Sequence, residues 1–272
     1  MNFLSKLEQI IEKNNSLLCI GLDPEIEKLP QSVKSSDDPL FAFNKAIIDA
    51  TADLVCAFKP NIAFYEAEGI KGLESLKKTI EYLQKSYADI PIVLDAKRGD
   101  IGNTAKMYAK AAYDYFKADA VTVFPHLGKD SLLPFFEYKE KLTIALIKTS
   151  NPDSGMFQDL PVDGKPYYIK VAEELKAWNI ENLGIFVGAT YPEELKKVRE
   201  LFPETIFLSA GFGAQEAEIG EAVKAGIDRN KSGIMFNASR SILYASSNED
   251  FAKRAKEKAK ETRDTINKYR NE

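Results

Sequence analysis

Pro91-Ile-Val-Leu-Asp95-Ala-Lys97-Arg-Gly-Asp100-Ile-Gly-Asn-Thr104 places acid, base and acid where an apolar strand runs out. Ile92, Val93 and Leu94 read as a strand buried on both faces, the pattern of a parallel sheet. Successive strand side chains point to opposite faces, so Asp95 and Lys97 look into the same space. Gly99 lets the backbone turn, and Asp100 falls at a helix start, where an acid is also an ordinary N-cap. Spacing alone leaves two readings of Asp95 and Lys97: a structural ion pair at a strand end, or a site built on a rigid strand.

Working outward, the same strand-then-helix unit recurs on both sides. Upstream lie Leu17-Leu-Cys-Ile-Gly-Leu-Asp23, a helical pattern after Pro39, and Ala57-Phe-Lys59-Pro-Asn61-Ile-Ala-Phe, where a lysine interrupts an apolar run. Downstream, strands are expected at Ala120–Pro125, Thr143–Lys148, Leu183–Gly188, Thr205–Ser209 and Gly233–Asn237, each with a helical pattern behind it. About eight such units in one chain point to a single α/β (β/α)8 TIM barrel, here with an extra amphipathic helix at the N-terminus. No linker or change of composition divides residues 1–272, so one domain is expected. A barrel of roughly 200–250 residues routinely folds as one domain.

Two stretches break the rhythm. Residues 150–166 are loop-like for longer than a βα connection normally is, which marks a lid, a binding loop or a surface insertion. The tail from Phe251 to Tyr269 mixes Lys/Arg with Glu at helical spacing and reads as a solvated closing helix.

Composition is that of an ordinary soluble chain: 44% hydrophobic, 29% charged, net charge −4. The charge is small and spread out, so neither nucleic acid nor an anionic membrane surface is expected as a partner. No apolar run approaches the ~18 residues of a membrane span, and the N-terminus does not read as a signal peptide, so a cytoplasmic protein is expected. Cys19 and Cys56 have no paired spacing and read as reduced, buried thiols. His126 is the single histidine, so histidine-based metal sites and Ser/His/Asp hydrolysis have little to work with. It reads as a structural residue rather than a ligand contact. The glycine pairs do not follow a dinucleotide fingerprint.

Active sites of such barrels gather at the C-terminal ends of the strands, with phosphate held after strands seven and eight. After strand seven comes Ala210-Gly211-Phe-Gly213-Ala-Gln215, whose glycines let backbone N–H groups approach an anion. After strand eight comes Asn237-Ala-Ser239-Arg240-Ser241, where Arg240 can grip phosphate bidentately. Either motif alone is equally a tight turn or a surface charge; together they favour a phosphorylated ligand. Asp23, Lys59, Asp95 with Lys97, and Ser150 stand at four other strand ends. Buried charges need opposite partners, and an alternating ladder Lys59, Asp95, Lys97, Asp100 meets that demand.

Asp95-x-Lys97-x-x-Asp100-Ile101-x-x-Thr104, with Gly-Leu-Asp23-Pro and Phe-Lys59-Pro-Asn, resembles orotidine 5′-phosphate decarboxylase. Lys148-Thr-Ser150-Asn-Pro, Gly211-x-Gly-Ala-Gln215 and Ser239-Arg240-Ser-Ile are similar to the subgroup often called type 2, and the resemblance runs from about Cys19 to Ile242. The resemblance implies decarboxylation of orotidine 5′-monophosphate to UMP without metal or organic cofactor. It further implies that Asp23 and Lys59 hold ribose hydroxyls, Ser150 reads the pyrimidine edge, and Gln215 with Arg240 binds phosphate on the Gly211–Gly213 loop. By the same resemblance Asp95 faces the departing carboxylate and Lys97 protonates C6. Asp100 and Thr104 would serve the neighbouring subunit's site, which implies a homodimer. Ala210 stands where the family pattern has proline.

Three alternatives remain at this level. The same Asp-x-Lys-x-x-Asp run fits a metal-assisted sugar-phosphate decarboxylase on a similar barrel. Lys59 or Lys97 suits a Schiff-base aldolase. A phosphate-ligand binding barrel without turnover would keep the site, although stacking like charges without chemistry costs stability.

Overall fold

The expected apolar runs all become strands of one parallel sheet in the computed structural model, which describes residues 2–211 and 216–272. The strands are β1 (Leu18–Leu22), β2 (Ala57–Pro60), β3 (Val93–Arg98), β4 (Ala120–Val123), β5 (Leu142–Lys148), β6 (Leu183–Val187), β7 (Phe207–Ala210) and β8 (Ile234–Ala238). Their order is β2-β1-β8-β7-β6-β5-β4-β3, and every pairing between neighbours is parallel. The two ends of that order meet through isolated bridges, Phe58 to Ile92 and Asn61 to Asp95, which nearly close a barrel. This β2–β3 seam carries the Phe58 N–H to Pro91 carbonyl bond, 3.0 Å, and the Ile62 N–H to Asp95 carbonyl bond, 3.2 Å. Strands β1, β2, β4, β5 and β8 are buried along their whole length, as near-continuous apolar runs require between a barrel interior and an outer helical layer.

The N-terminal helix Phe3–Asn14 crosses the N-terminal end of the barrel and buries Phe3, Leu7, Ile10 and Ile11. Asn2 caps it by accepting from the Ser5 N–H, and Asn14 donates to the Ala52 and Val55 carbonyls just before β2. With one end covered, the opposite mouth is left for a ligand. The mixed-charge tail forms the helix Phe251–Asn271, whose Phe251, Ala255, Ala259 and Ile266 make a buried stripe. Phe251 stacks on Phe43 with ring centroids 5.2 Å apart. Cys19 and Cys56 are free and buried, and burial pushes the Cys19 thiol up to about 12.

Three local expectations are corrected. The second strand ends at Pro60, and Ala63–Glu66 already forms a helical turn. The helix after β3 begins at Gly102, with Ile101 rather than Asp100 in the capping position, and finishes in a π turn over Ala111–Tyr115. The 150–166 stretch is built rather than loose: a 3-10 turn Pro152–Ser154, a short helix Gly155–Gln158, and a hairpin pairing Pro161–Val162 with Lys165–Pro166. Asp163 and Gly164 take positive φ at the hairpin tip, 51° and 76°, the Asp-Gly signature of a tight two-residue turn.

Candidate active site

Strand β3 ends irregularly. Its pairing with β4 shifts register between Leu94 and Arg98, and Lys97 takes a left-handed φ of 45°, a conformation disfavoured for any residue with a Cβ. Asp95, 7% exposed, is held there by five contacts. Its Oδ1 accepts from Lys97 Nζ at 2.7 Å and from the Thr122 hydroxyl at 2.8 Å. Its Oδ2 accepts from Lys59 Nζ at 3.1 Å, Asn61 Nδ2 at 3.1 Å and Lys97 Nζ at 2.9 Å. Burial pushes the Asp95 carboxyl upward, but Lys59, Lys97 and these hydrogen bonds more than offset it and hold the group well below the usual carboxylate range. Lys59, itself 5% exposed, is pushed down by burial and carried above its ordinary value by Asp23 and Asp95.

Asp23, at the end of β1, accepts from the Asn61 N–H at 3.1 Å, which ties the ends of β1 and β2 together. The Ser239 side chain, just after β8, packs against the β1 backbone beside it: a Cβ on Gly21 would lie 1.8 Å from Ser239 Oγ. Arg240 follows as the exposed first residue of a short helix at the end of β8, with no ion pair among the described residues.

A cavity of about 400 Å³ opens over the charged cluster. Lys59, Asp95 and Lys97 form its polar side, Phe124, Leu146 and Phe186 its apolar side, and Ser150 lines it after β5. Ala210 lies on the same wall, and Gly211, at φ 93°, passes so close to Ser150 that a Cβ there would sit 2.6 Å from the serine Cβ. Gly213 and Gln215 lie outside the described residues.

Within one chain the ladder stops at its third rung. Lys59, Asp95 and Lys97 are joined, but Asp100 is not: past Gly99 its carboxylate folds back to accept from its own neighbour, Ile101 N–H, at 2.8 Å. Asp100 is half-buried just before the helix that begins at Gly102, and Thr104 is exposed in its first turn. His126 is exposed, stacked between Phe124 and Tyr167, and bonded through Nδ1 to the Tyr167 hydroxyl at 3.2 Å.

Sequence reading missed Thr122, Gln158 and the bonding of Asn61. Gln158 accepts from the Thr149 N–H at 2.9 Å and lines the cavity, binding the 155–158 helix to the end of β5. Only Asn61 had a signal, its place beside Lys59 on one strand face.

Chemically the cluster presents a fixed ammonium, Lys97, beside an ionised carboxylate and an apolar wall. Such a group can stabilise a developing negative charge and then donate a proton to it.

Residues 16–255 match the family model described as Orotidine 5′-phosphate decarboxylase / HUMPS family. The chain belongs to this family. An orotidine 5′-phosphate decarboxylase from Cellvibrio japonicus is 49% identical over 271 residues, 98% of each chain. One from Ralstonia nicotianae is 46% identical over 273 residues, the full length of both. Among solved structures, the Leishmania donovani OMP decarboxylase superposes with a TM-score of 0.86 at 35% identity over the whole of both chains. A putative orotidine-monophosphate-decarboxylase from Toxoplasma gondii gives 0.90 at 37% identity, covering 99% of this chain and 97% of the other. The resemblance carried by the Asp95-to-Thr104 motif and the TIM-barrel expectation are both borne out by membership of the orotidine 5′-phosphate decarboxylase / HUMPS family.

Proposed function

We propose that this chain decarboxylates orotidine 5′-monophosphate to UMP and CO2, the last step of pyrimidine nucleotide synthesis. One observation carries the reading: in a family member, Asp95 is clamped between Lys59 and Lys97 on the wall of a cavity of nucleotide-binding size.

In the reaction the bond between C6 and the carboxylate breaks heterolytically. CO2 leaves, the electron pair stays at C6, and no ring carbonyl is placed to delocalise it. Lys97 supplies a preorganised positive charge beside that carbanion and then transfers an ammonium proton to C6; the resulting amine regains a proton from water. So slow a reaction asks for the upper part of the ~8–23 kcal/mol range of enzymatic barrier lowering. Asp95 faces the departing carboxylate, keeps Lys59 charged and orients both lysines. Asp23 and Lys59 hold ribose hydroxyls, and Ser150 meets the pyrimidine edge. Arg240 and Gln215, with backbone N–H groups at Gly211 and Gly213, take the phosphate. Phosphate binding far from C6 supplies energy that the 150–166 segment can use to close over the site.

The site works as a homodimer, with Asp100 and Thr104 reaching into the neighbouring subunit's site. Support comes from the exposure of Thr104 and from their neighbours: Ile101 and Met107 are each 59% exposed, apolar surface whose burial against a second copy would drive association. The whole chain acts as one domain, in the cytoplasm. Asp95 already holds two ammonium groups, so a divalent cation there would have to displace one; the reading needs neither metal nor organic cofactor.

The test is the ultraviolet spectrum of orotidine 5′-monophosphate incubated with pure protein, with and without chelator. Conversion to the UMP spectrum at an undiminished rate is expected. An unchanged spectrum overturns the reading, and activity abolished by chelator favours a metal-assisted sugar-phosphate decarboxylase instead.

A further inference from the structure

Thr122 is buried near the end of β4, and its hydroxyl touches both chemical partners of the site. It donates its one proton to Asp95 Oδ1 at 2.8 Å. It accepts from the Ala96 N–H and the Lys97 N–H, each at 3.0 Å. One proton and two lone pairs are thus all committed, and the polarity is forced, because backbone N–H groups only donate and an ionised carboxylate only accepts.

These bonds fall where the β3–β4 ladder loses register, between Leu94 and Arg98. The Ala96 and Lys97 N–H groups pair with a side-chain oxygen there, and this substitute partner lets the backbone enter the left-handed conformation of Lys97 without leaving buried donors unsatisfied. Bulges beside functional sites re-aim a side chain, and here the side chain is the lysine whose Nζ lies against Asp95.

We propose that Thr122 is a positioning residue for the decarboxylation: its hydroxyl locks the Asp95–Lys97 turn from both ends and thereby aims the Lys97 ammonium at C6. Thr122 touches no reacting atom; it acts through Asp95 and Lys97. The inference rests on the decarboxylase reading, but the two fail separately. Wild-type protein inactive on orotidine 5′-monophosphate defeats the reading, whereas Thr122 is judged by variants against active wild type.

The experiment compares Thr122→Val, Thr122→Ser and wild type in kcat and KM for orotidine 5′-monophosphate and in UMP affinity by titration calorimetry. Valine keeps the shape and removes the hydroxyl, so kcat should fall about a hundredfold, the cost of a small misplacement of a reacting group. KM and UMP affinity should stay near wild type, since the ribose and phosphate contacts are untouched. Serine restores the hydroxyl and should restore most of kcat. Wild-type kcat in Thr122→Val, serine as slow as valine, or a loss of UMP affinity as large as the loss of kcat would each overturn the proposal. If the valine variant does not fold, Thr122→Ala takes its place with the same expectations, and UMP binding certifies its fold.

Discussion

Lys59 and Asp95 meet at 3.1 Å across the β2–β3 seam, which isolated bridges hold, and each compensates the other's charge in a buried setting. The folded Asp95 carboxyl lies below its unfolded value, so its contribution to stability is complete above about pH 4 and is lost as pH falls through the folded value. The folded Lys59 ammonium lies above its unfolded value, so its contribution is complete below about pH 10 and is lost as pH rises through the folded value. Removing one partner of a buried pair leaves the other charge uncompensated. Asp95→Asn should therefore lower unfolding free energy by about 3–5 kcal/mol, evenly between pH 5 and pH 9, with the deficit shrinking in acid. Urea melts at several pH values check this; a deficit that grows below pH 4 would contradict the assignment.

Lys97 is the outer lysine, its side chain 42% exposed, so its loss should spare the fold and remove the chemistry. Lys97→Ala should bind UMP yet turn over at least a thousandfold more slowly, at the upper end of what proton transfer and charge stabilisation together supply. Mixing it with Asp100→Ala, also inactive, should recover part of the activity if each site draws on two subunits. Recovery is read in a mixing assay after subunit exchange, and none appearing would remove Asp100 from the partner's site.

Arg240 stands exposed at the end of β8 without an ion pair among the described residues, available to an anion. Arg240→Ala should weaken UMP binding by about 1.5–3 kcal/mol, the worth of a charge-assisted hydrogen bond, while uridine binding barely changes. Equal losses for nucleotide and nucleoside would place the phosphate elsewhere.

Arg199 is a different kind of cation. Buried behind the start of β7, it donates to four backbone carbonyls, of Gly226, Phe202, Thr205 and Gly233, and its guanidinium lies 3.7 Å from the Phe207 ring centroid. Burial pushes its pKa down to about 10, still charged at neutral pH. Arg199→Met should cost about 3 kcal/mol or more by leaving buried acceptors unpaired, and Arg199→Lys should not rescue it, since one ammonium cannot span that fork. Thermal melts decide; a melting temperature unchanged in either variant would deny Arg199 this role.

The barrel was legible because parallel strands buried on both faces leave unbroken apolar runs such as Ile144-Ala-Leu-Ile147, and a hydrophobic pattern registers those directly. The charged cluster was legible for the same reason: Lys59 and Asp95 are anomalies in such runs. The turning of Asp100 onto the Ile101 N–H was not legible, because direction after a glycine turn depends on backbone angles that spacing does not encode. Thr122 left no trace, since a threonine in Ala-Val-Thr-Val is ordinary strand composition and only the neighbouring strand's broken register gives its hydroxyl work. The hairpin around Asp163-Gly164 did carry a turn signal, hidden because its strands are only two residues long.

The β2–β3 seam has one more implication. Lys59 stands on one lip of it and Asp95 on the other, so any breathing of the cylinder at its thinnest stitching pulls the two charges apart before other walls give way. Turnover should then be the first property to vanish under mild stress, fading while circular dichroism still records an intact fold.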